Sequence, residues 1–217
     1  FLILSCSGIQ FSSLQQTWTE RTLSKLTLRE KIAQMMVYYM RMEFLNEDSE
    51  QWQELISLIQ TDGIGGIHLW SGEVGISLTM MNELQNMSKI PILFDADIES
   101  GLHARFSNGT ELPPLMAIAA TENPQFAYEA GKIAASESRA VGIHWNFSPV
   151  MDVNNNPSNP IINTRSFGED PNSVGEFGIQ FMKGLQEHGM LATAKHFPGH
   201  GDTETDSRAT AGHDGNP

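Results

Sequence analysis

The 217-residue sequence contains one cysteine, Cys6, so no disulfide can form within the chain and a disulfide-stapled scaffold is excluded. Basic residues are scarce. Thirteen Lys and Arg stand against 26 Asp and Glu, a formal charge of −13. That sign is wrong for a surface that tracks nucleic-acid phosphates or docks on an anionic membrane face. No apolar run reaches the roughly 18 residues a membrane-spanning helix needs. No G-x-G-x-x-G follows an apolar strand, which disfavours a dinucleotide-binding fold. What is present is ordinary globular composition, 40% apolar with 19 Gly and 10 Pro. It suits one large domain or two small ones around a genuine core.

Along the chain, amphipathic segments alternate with short apolar runs. Thr27-Leu28-Arg29-Glu30 is a capping-box pattern, and Ile32, Met35, Met36 and Tyr39 follow at helical spacing. Asp48 or Ser49 can cap a second helix carrying Trp52, Leu55, Ile56 and Ile59, ended by Asp62-Gly63. Runs 64–70, 90–94, 143–150 and 190–194 read as buried strands. Helices are expected around 78–84, after Asn123-Pro124 and after Asp170-Pro171. This βα alternation predicts a parallel sheet covered by helices, an α/β fold of the (β/α)8 TIM-barrel type, with a doubly wound sheet as the alternative. Polar residues gather just after the strands, at Asp97, at 152–165 and at 195–206, where α/β folds place their ligands.

The opening F-L-I-L-S-C-S resembles the tail of a bacterial lipoprotein signal with Cys6 as lipid acceptor, which implies an extracytoplasmic location. A frayed apolar terminus with an incidental cysteine is the alternative. The expected division is a signal-like remnant and linker at 1–14, a catalytic-type domain at 15–210 and an atypical tail at 211–217.

The densest chemistry is K-H-F-P-G-H-G-D-T-E-T-D-S at 195–207. One reading is a metal site at His196, His200 and Asp202, but Pro198-Gly199 prevents the two histidines from sharing a helix face. The other is a loop whose Lys and His donate to vicinal sugar hydroxyls. This segment is similar to the signature of glycoside hydrolase family 3, in its β-N-acetylglucosaminidase branch. L-T-L-R-E-K-I-A-Q-M at 26–35, G-I-H-W-N-F-S-P-V-M-D-V-N-N-N-P at 142–157 and R-S-F-G-E-D-P at 165–171 agree in order.

The resemblance implies a retaining glycosidase acting on terminal β-linked N-acetylglucosamine, with no cofactor and no metal. It implies substrate contacts from Asp97, Arg105, Arg165, Lys195 and His196. Each has a structural alternative: a helix cap for Asp97, a solvated charge for Arg105, pairing with Glu169 or Asp170 for Arg165, and ordinary strand-end positions for Lys195 and His196. His200 and Asp202 are expected to shape the loop, and Asp152 to organise a local turn. Trp70 and Trp145 are expected in the core. No role is assigned to His68.

Two departures stand out. The family's acid/base His is preceded two residues earlier by an orienting Asp. Asp206 is present, but Arg208 occupies the His position, and an Arg that stays protonated cannot exchange a proton during catalysis. No residue matches the family's nucleophilic Asp, which the resemblance places on a later strand. The expectation is a truncated barrel, inactive alone. A carbohydrate-binding pseudoenzyme and a metal-dependent barrel hydrolase are the other readings.

Overall fold

The computed structural model describes residues 17–206. Cys6, Arg208 and the tail at 211–217 lie outside them. Two short helices open the fold, α1 (Trp18–Leu23) and α2 (Leu28–Ala33). Each starts with a reciprocal capping box, Thr17 with Glu20 and Thr27 with Glu30.

The expected helical face through Tyr39 is not formed. The helix stops at Ala33, and 37–42 is a strand, β1 (Val37–Met42), with Met40 and Met42 buried and Val37, Tyr39 and Arg41 exposed. The run V-Y-Y is β-branched and aromatic, and pairing with the next strand overrides a spacing that fits both periods. Ser49, not Asp48, caps α3 (Glu50–Ser57) by accepting from Trp52 N–H. The chain then turns at Gly63, whose φ of 75° suits a residue without Cβ.

Strand β2 (Gly66–Glu73) runs into α4 (Val74–Met87), then β3 (Leu93–Ala96), β4 (Phe106–Ser107), α5 (Leu115–Ala119) and α6 (Gln125–Ala140). Next come β5 (Trp145–Asn146), α7 (Pro171–Glu187) and β6 (Leu191–Ala192). β5 is shorter than the expected 143–150, although Val150 still bridges Lys195 in parallel. Asp170 caps α7 through Ser173 N–H at 2.8 Å, with Pro171 in the first turn as expected.

All strand pairs are parallel, and the sheet order is β1-β2-β3-β5-β6, with β4 extending beside β2. That sequential order distinguishes a barrel-type sheet from a doubly wound one, whose order reverses midway. The chain therefore has the expected TIM-barrel-type fold, with five successive strands of the barrel wall in the described residues.

Each strand has two unlike faces. Ile67 and Leu69, then Phe94 and Ala96, are buried in one core with Leu55, Met81 and Leu84 from the helices. α6 and α7 pack closely because Gly131 and Gly184 sit against the backbone of the opposite helix. A Cβ on Gly131 would meet the Phe181 carbonyl, and one on Gly184 the Tyr128 carbonyl. The other sheet face, towards the barrel interior, carries Tyr39, His68, Trp70, Asp95, Asp97, Trp145 and Phe147, many in mutual ring contact.

Candidate active site

The period-two alternation of β3 and its continuation places Asp95, Asp97 and Glu99 on the interior face, while Phe94, Ala96 and Ile98 are buried with the core. From the end of β6, Lys195 reaches across to the same place. Its Nζ lies 2.7 Å from Asp97 Oδ1 and 2.6 Å from Glu99 Oε1. Arg105, on the turn before β4, donates to Asp97 Oδ2 at 3.1 Å, with its guanidinium carbon 4.1 Å from the Trp70 ring centre. Arg165 holds Glu99 in a two-pronged contact, Nε to Oε2 at 2.9 Å and Nη2 to Oε1 at 2.8 Å, and Nη1 donates to the Ile161 carbonyl at 3.1 Å.

The cluster is a chain of alternating charge, Arg105–Asp97–Lys195–Glu99–Arg165. Burial pushes the Glu99 carboxyl up, but hydrogen bonds from Arg165 and the charge of Lys195 outweigh it and hold the group at about 2. Asp95, two residues earlier on the same face, has His68 as its partner. There burial prevails and the carboxyl is raised.

A second anchor organises the loop after β6. Asp152 is buried, and its Oδ2 accepts from His196 N–H at 3.1 Å and faces His196 Nδ1 at 2.6 Å. Its Oδ1 accepts from His200 N–H at 2.6 Å. Burial acts to raise this carboxyl, and the contacts with His196 and His200 hold it lower. Asp152 therefore ties together segments more than forty residues apart in sequence, rather than closing the local turn expected of it. The local turns belong to Asn156 and Asn159, which accept from Ser158 and from Ile161 and Ile162. The side chains of Asn156 and Asn159 also donate to carbonyls of the loop at 200–203. His200 shapes that loop as expected, through Nδ1 to Thr203 Oγ1 at 2.5 Å.

Asp97, Arg105, Arg165, Lys195, His196 and Asp206 all line one hollow of about 790 Å³ at the carboxyl ends of the strands. Trp70 and Trp145 line it too, half-buried, which corrects their expected place in the core. Arg165 pairs with Glu99, not with Glu169 or Asp170. Among the described residues no group of three or more potential metal ligands comes together. The Nδ1 atoms of His196 and His200 face Asp152 and Thr203, and Asp202 is exposed.

Glu99 is the residue the sequence reading missed. The signal was available: D-A-D-I-E puts three carboxylates at every second position, and a run that alternates acid with apolar at a strand end marks one polar face.

The description "Glycosyl hydrolase family 3 N terminal domain" matches residues 27–217. The chain belongs to that family. It is 40% identical over 169 residues to beta-hexosaminidase A of Pseudoalteromonas piscicida, covering 71% of this chain and 28% of the relative. It is 32% identical over 197 residues to a beta-N-acetylglucosaminidase/beta-glucosidase of Cellulomonas fimi, covering 89% of this chain and 33% of the relative. Its fold matches that of a family 3 beta-N-acetylglucosaminidase from Paenibacillus sp. str. FPU-7 with a TM-score of 0.75 and 37% identity, over 84% of this chain and 35% of that one. The family 3 chain described here thus spans about a third of the length of these relatives.

Proposed function

We propose that this chain forms the sugar-binding part of a site that hydrolyses terminal, non-reducing β-linked N-acetylglucosamine. The observation that carries the reading is the convergence of Asp97, Arg105, Arg165, Lys195 and His196 on one hollow. Saccharide hydroxyls offer paired donors and acceptors at fixed geometry, which carboxylates and forked guanidinium groups match. Half-buried Trp70 and Trp145 supply apolar faces beside them. The names of the relatives support an N-acetylglucosaminide, although the Cellulomonas fimi relative is named a beta-glucosidase as well. Asp97 and Lys195 hold ring hydroxyls, and His196, steadied by Asp152, adds a donor at the rim.

A retaining reaction needs a nucleophile and an acid/base. In this family the resemblance gives the second role to a His oriented by an Asp. Asp206 lines the hollow, but Arg208 stands where the His is expected, and Arg holds its proton throughout. That substitution favours a second reading, a carbohydrate-binding member without turnover.

Calorimetry with N-acetylglucosamine tests the first proposal. Binding by the chain is expected, with a loss of about tenfold or more in Lys195→Ala, since a charge-assisted hydrogen bond is removed. Absence of binding refutes it. An aryl β-N-acetylglucosaminide assay separates the two readings. Turnover that appears only with Arg208→His, in a polypeptide that carries the later barrel strands, supports an enzyme whose acid/base has been lost. Binding that stays without turnover supports the binding protein. An aryl β-glucoside run in parallel decides whether the acetamido group is required.

A further inference from the structure

Beneath the hollow, on the same sheet face, lies an Asp–His pair that the reading above does not use. Asp95 is fully buried, and its Oδ1 stands 2.5 Å from Nδ1 of His68, its register partner on β2. Its Oδ2 has no hydrogen-bond partner among the described residues. The imidazole is held between two rings, 5.5 Å from Phe147 at 15° and 5.9 Å from Tyr39 at 21°. With the ring plane fixed and Nδ1 on Asp95, Nε2 is aimed at Asp97, 3.8 Å from Oδ2. That is too long for a direct hydrogen bond. It is short for charges in a screened interior, where the two side chains are 14% and 18% exposed.

The direction of this ring decides where its proton sits. If Nδ1 alone were protonated, Nε2 would present a lone pair to a carboxylate, two electron-rich groups face to face. A proton on Nε2 turns that repulsion into attraction. Asp95 completes the arrangement from behind, donating a carboxylic proton to Nδ1 or, where both ring nitrogens carry protons, accepting from it. Burial raises the Asp95 carboxyl, which disfavours a bare carboxylate there and agrees with a carboxylic proton.

We propose that His68 is a positioning residue for Asp97: the Asp95–His68 pair keeps a proton on Nε2, and this N–H, 3.8 Å away, favours by electrostatic attraction the carboxylate orientation that Lys195 and Arg105 also hold. The inference rests on the reading that Asp97 meets the sugar. It adds two residues, from β2 and β3, that stand one layer deeper than the groups lining the hollow.

Two measurements on the 217-residue chain test it. A proton–nitrogen correlation spectrum of the imidazoles at neutral pH is expected to show His68 with a proton on Nε2. A bare Nε2 in the wild-type chain overturns the proposal. In calorimetry with N-acetylglucosamine, His68→Phe keeps the ring stack and is expected to weaken affinity about tenfold. His68→Gln returns an N–H donor and is expected to recover most of that loss, an outcome that a purely packing role does not produce. Affinity unchanged in His68→Phe, or no recovery in a folded His68→Gln, overturns the proposal. If the wild-type chain binds no N-acetylglucosamine, the functional reading fails by itself. The spectrum still decides where the His68 proton lies, and a bare Nε2 refutes the pair independently.

Discussion

Along residues 93–99 one strand and its continuation carry two unlike faces. Phe94, Ala96 and Ile98 point into the core and are buried, whereas Asp95, Asp97 and Glu99 point to the barrel interior. The first face holds the sheet to its helices, a non-directional gain roughly proportional to the apolar area buried. The second contributes through direction: each carboxylate is worth what its partners make of it. Asp95 and Glu99 sit four residues apart on the same face and move in opposite senses, because one has His68 alone and the other has Arg165 and Lys195. A buried carboxyl is therefore a stabilising group only where cations offset its lost hydration.

The largest effect is expected on the core side. Phe94→Ala removes a ring that is 2% exposed and is expected to destabilise the chain by about 3–5 kcal/mol. The urea midpoint should fall with the slope unchanged. A loss no larger than that of an interior-face substitution would break the contrast between the faces.

Next comes pH. The folded-state pKa of Glu99, about 2, lies below its ordinary value of 4.5, so its contribution is complete above about pH 4.5. It is lost as pH falls towards 2, by about 3 kcal/mol in all. Glu99→Gln is expected to flatten the urea midpoint across that window. The raised Asp95 has the opposite sign: its penalty is absent below the ordinary value of 3.8 and grows above it. Asp95→Asn is expected to remove that rising penalty, visible as a weaker decline in midpoint on the alkaline side of the window.

A smaller change, about 1–3 kcal/mol, is expected for Gly131→Ala, whose methyl meets the Phe181 carbonyl and forces α6 from α7. Thermal unfolding checks it. The smallest, about 1 kcal/mol, is expected for Thr27→Ala, which removes the cap of α2 on an exposed helix. Its urea midpoint should shift slightly and its sugar binding not at all, since α2 lies apart from the hollow.

Much of this was legible in the chain. Helix starts at Thr27, at Asp48 or Ser49 and at Asp170 could be read because capping is local, settled by residues three apart, and the structure selects Ser49 of the middle pair. The βα alternation predicted a parallel sheet, and the residues after the strands marked the end where groups collect. The segment at 32–42 misled because Met35, Met36 and Tyr39 satisfy a helical spacing as readily as Tyr38, Met40 and Met42 satisfy a strand. Only pairing with β2 selects the second. Asp152 misled for a related reason. An Asp before asparagines favours a local turn, and its long-range contacts with His196 and His200 are invisible until the loop folds back.

The sequence alone determined the acidic charge, the helix caps that residues three apart settle, and the supply of carboxylates and cations at strand ends, because these depend on residue type and near neighbours. The tertiary structure decided which cation meets which carboxylate, that Trp70 and Trp145 border the hollow, and that His68 is clamped with its free nitrogen towards Asp97. Those outcomes depend on distances between strands far apart in the chain, and such distances exist only once the sheet has closed its register.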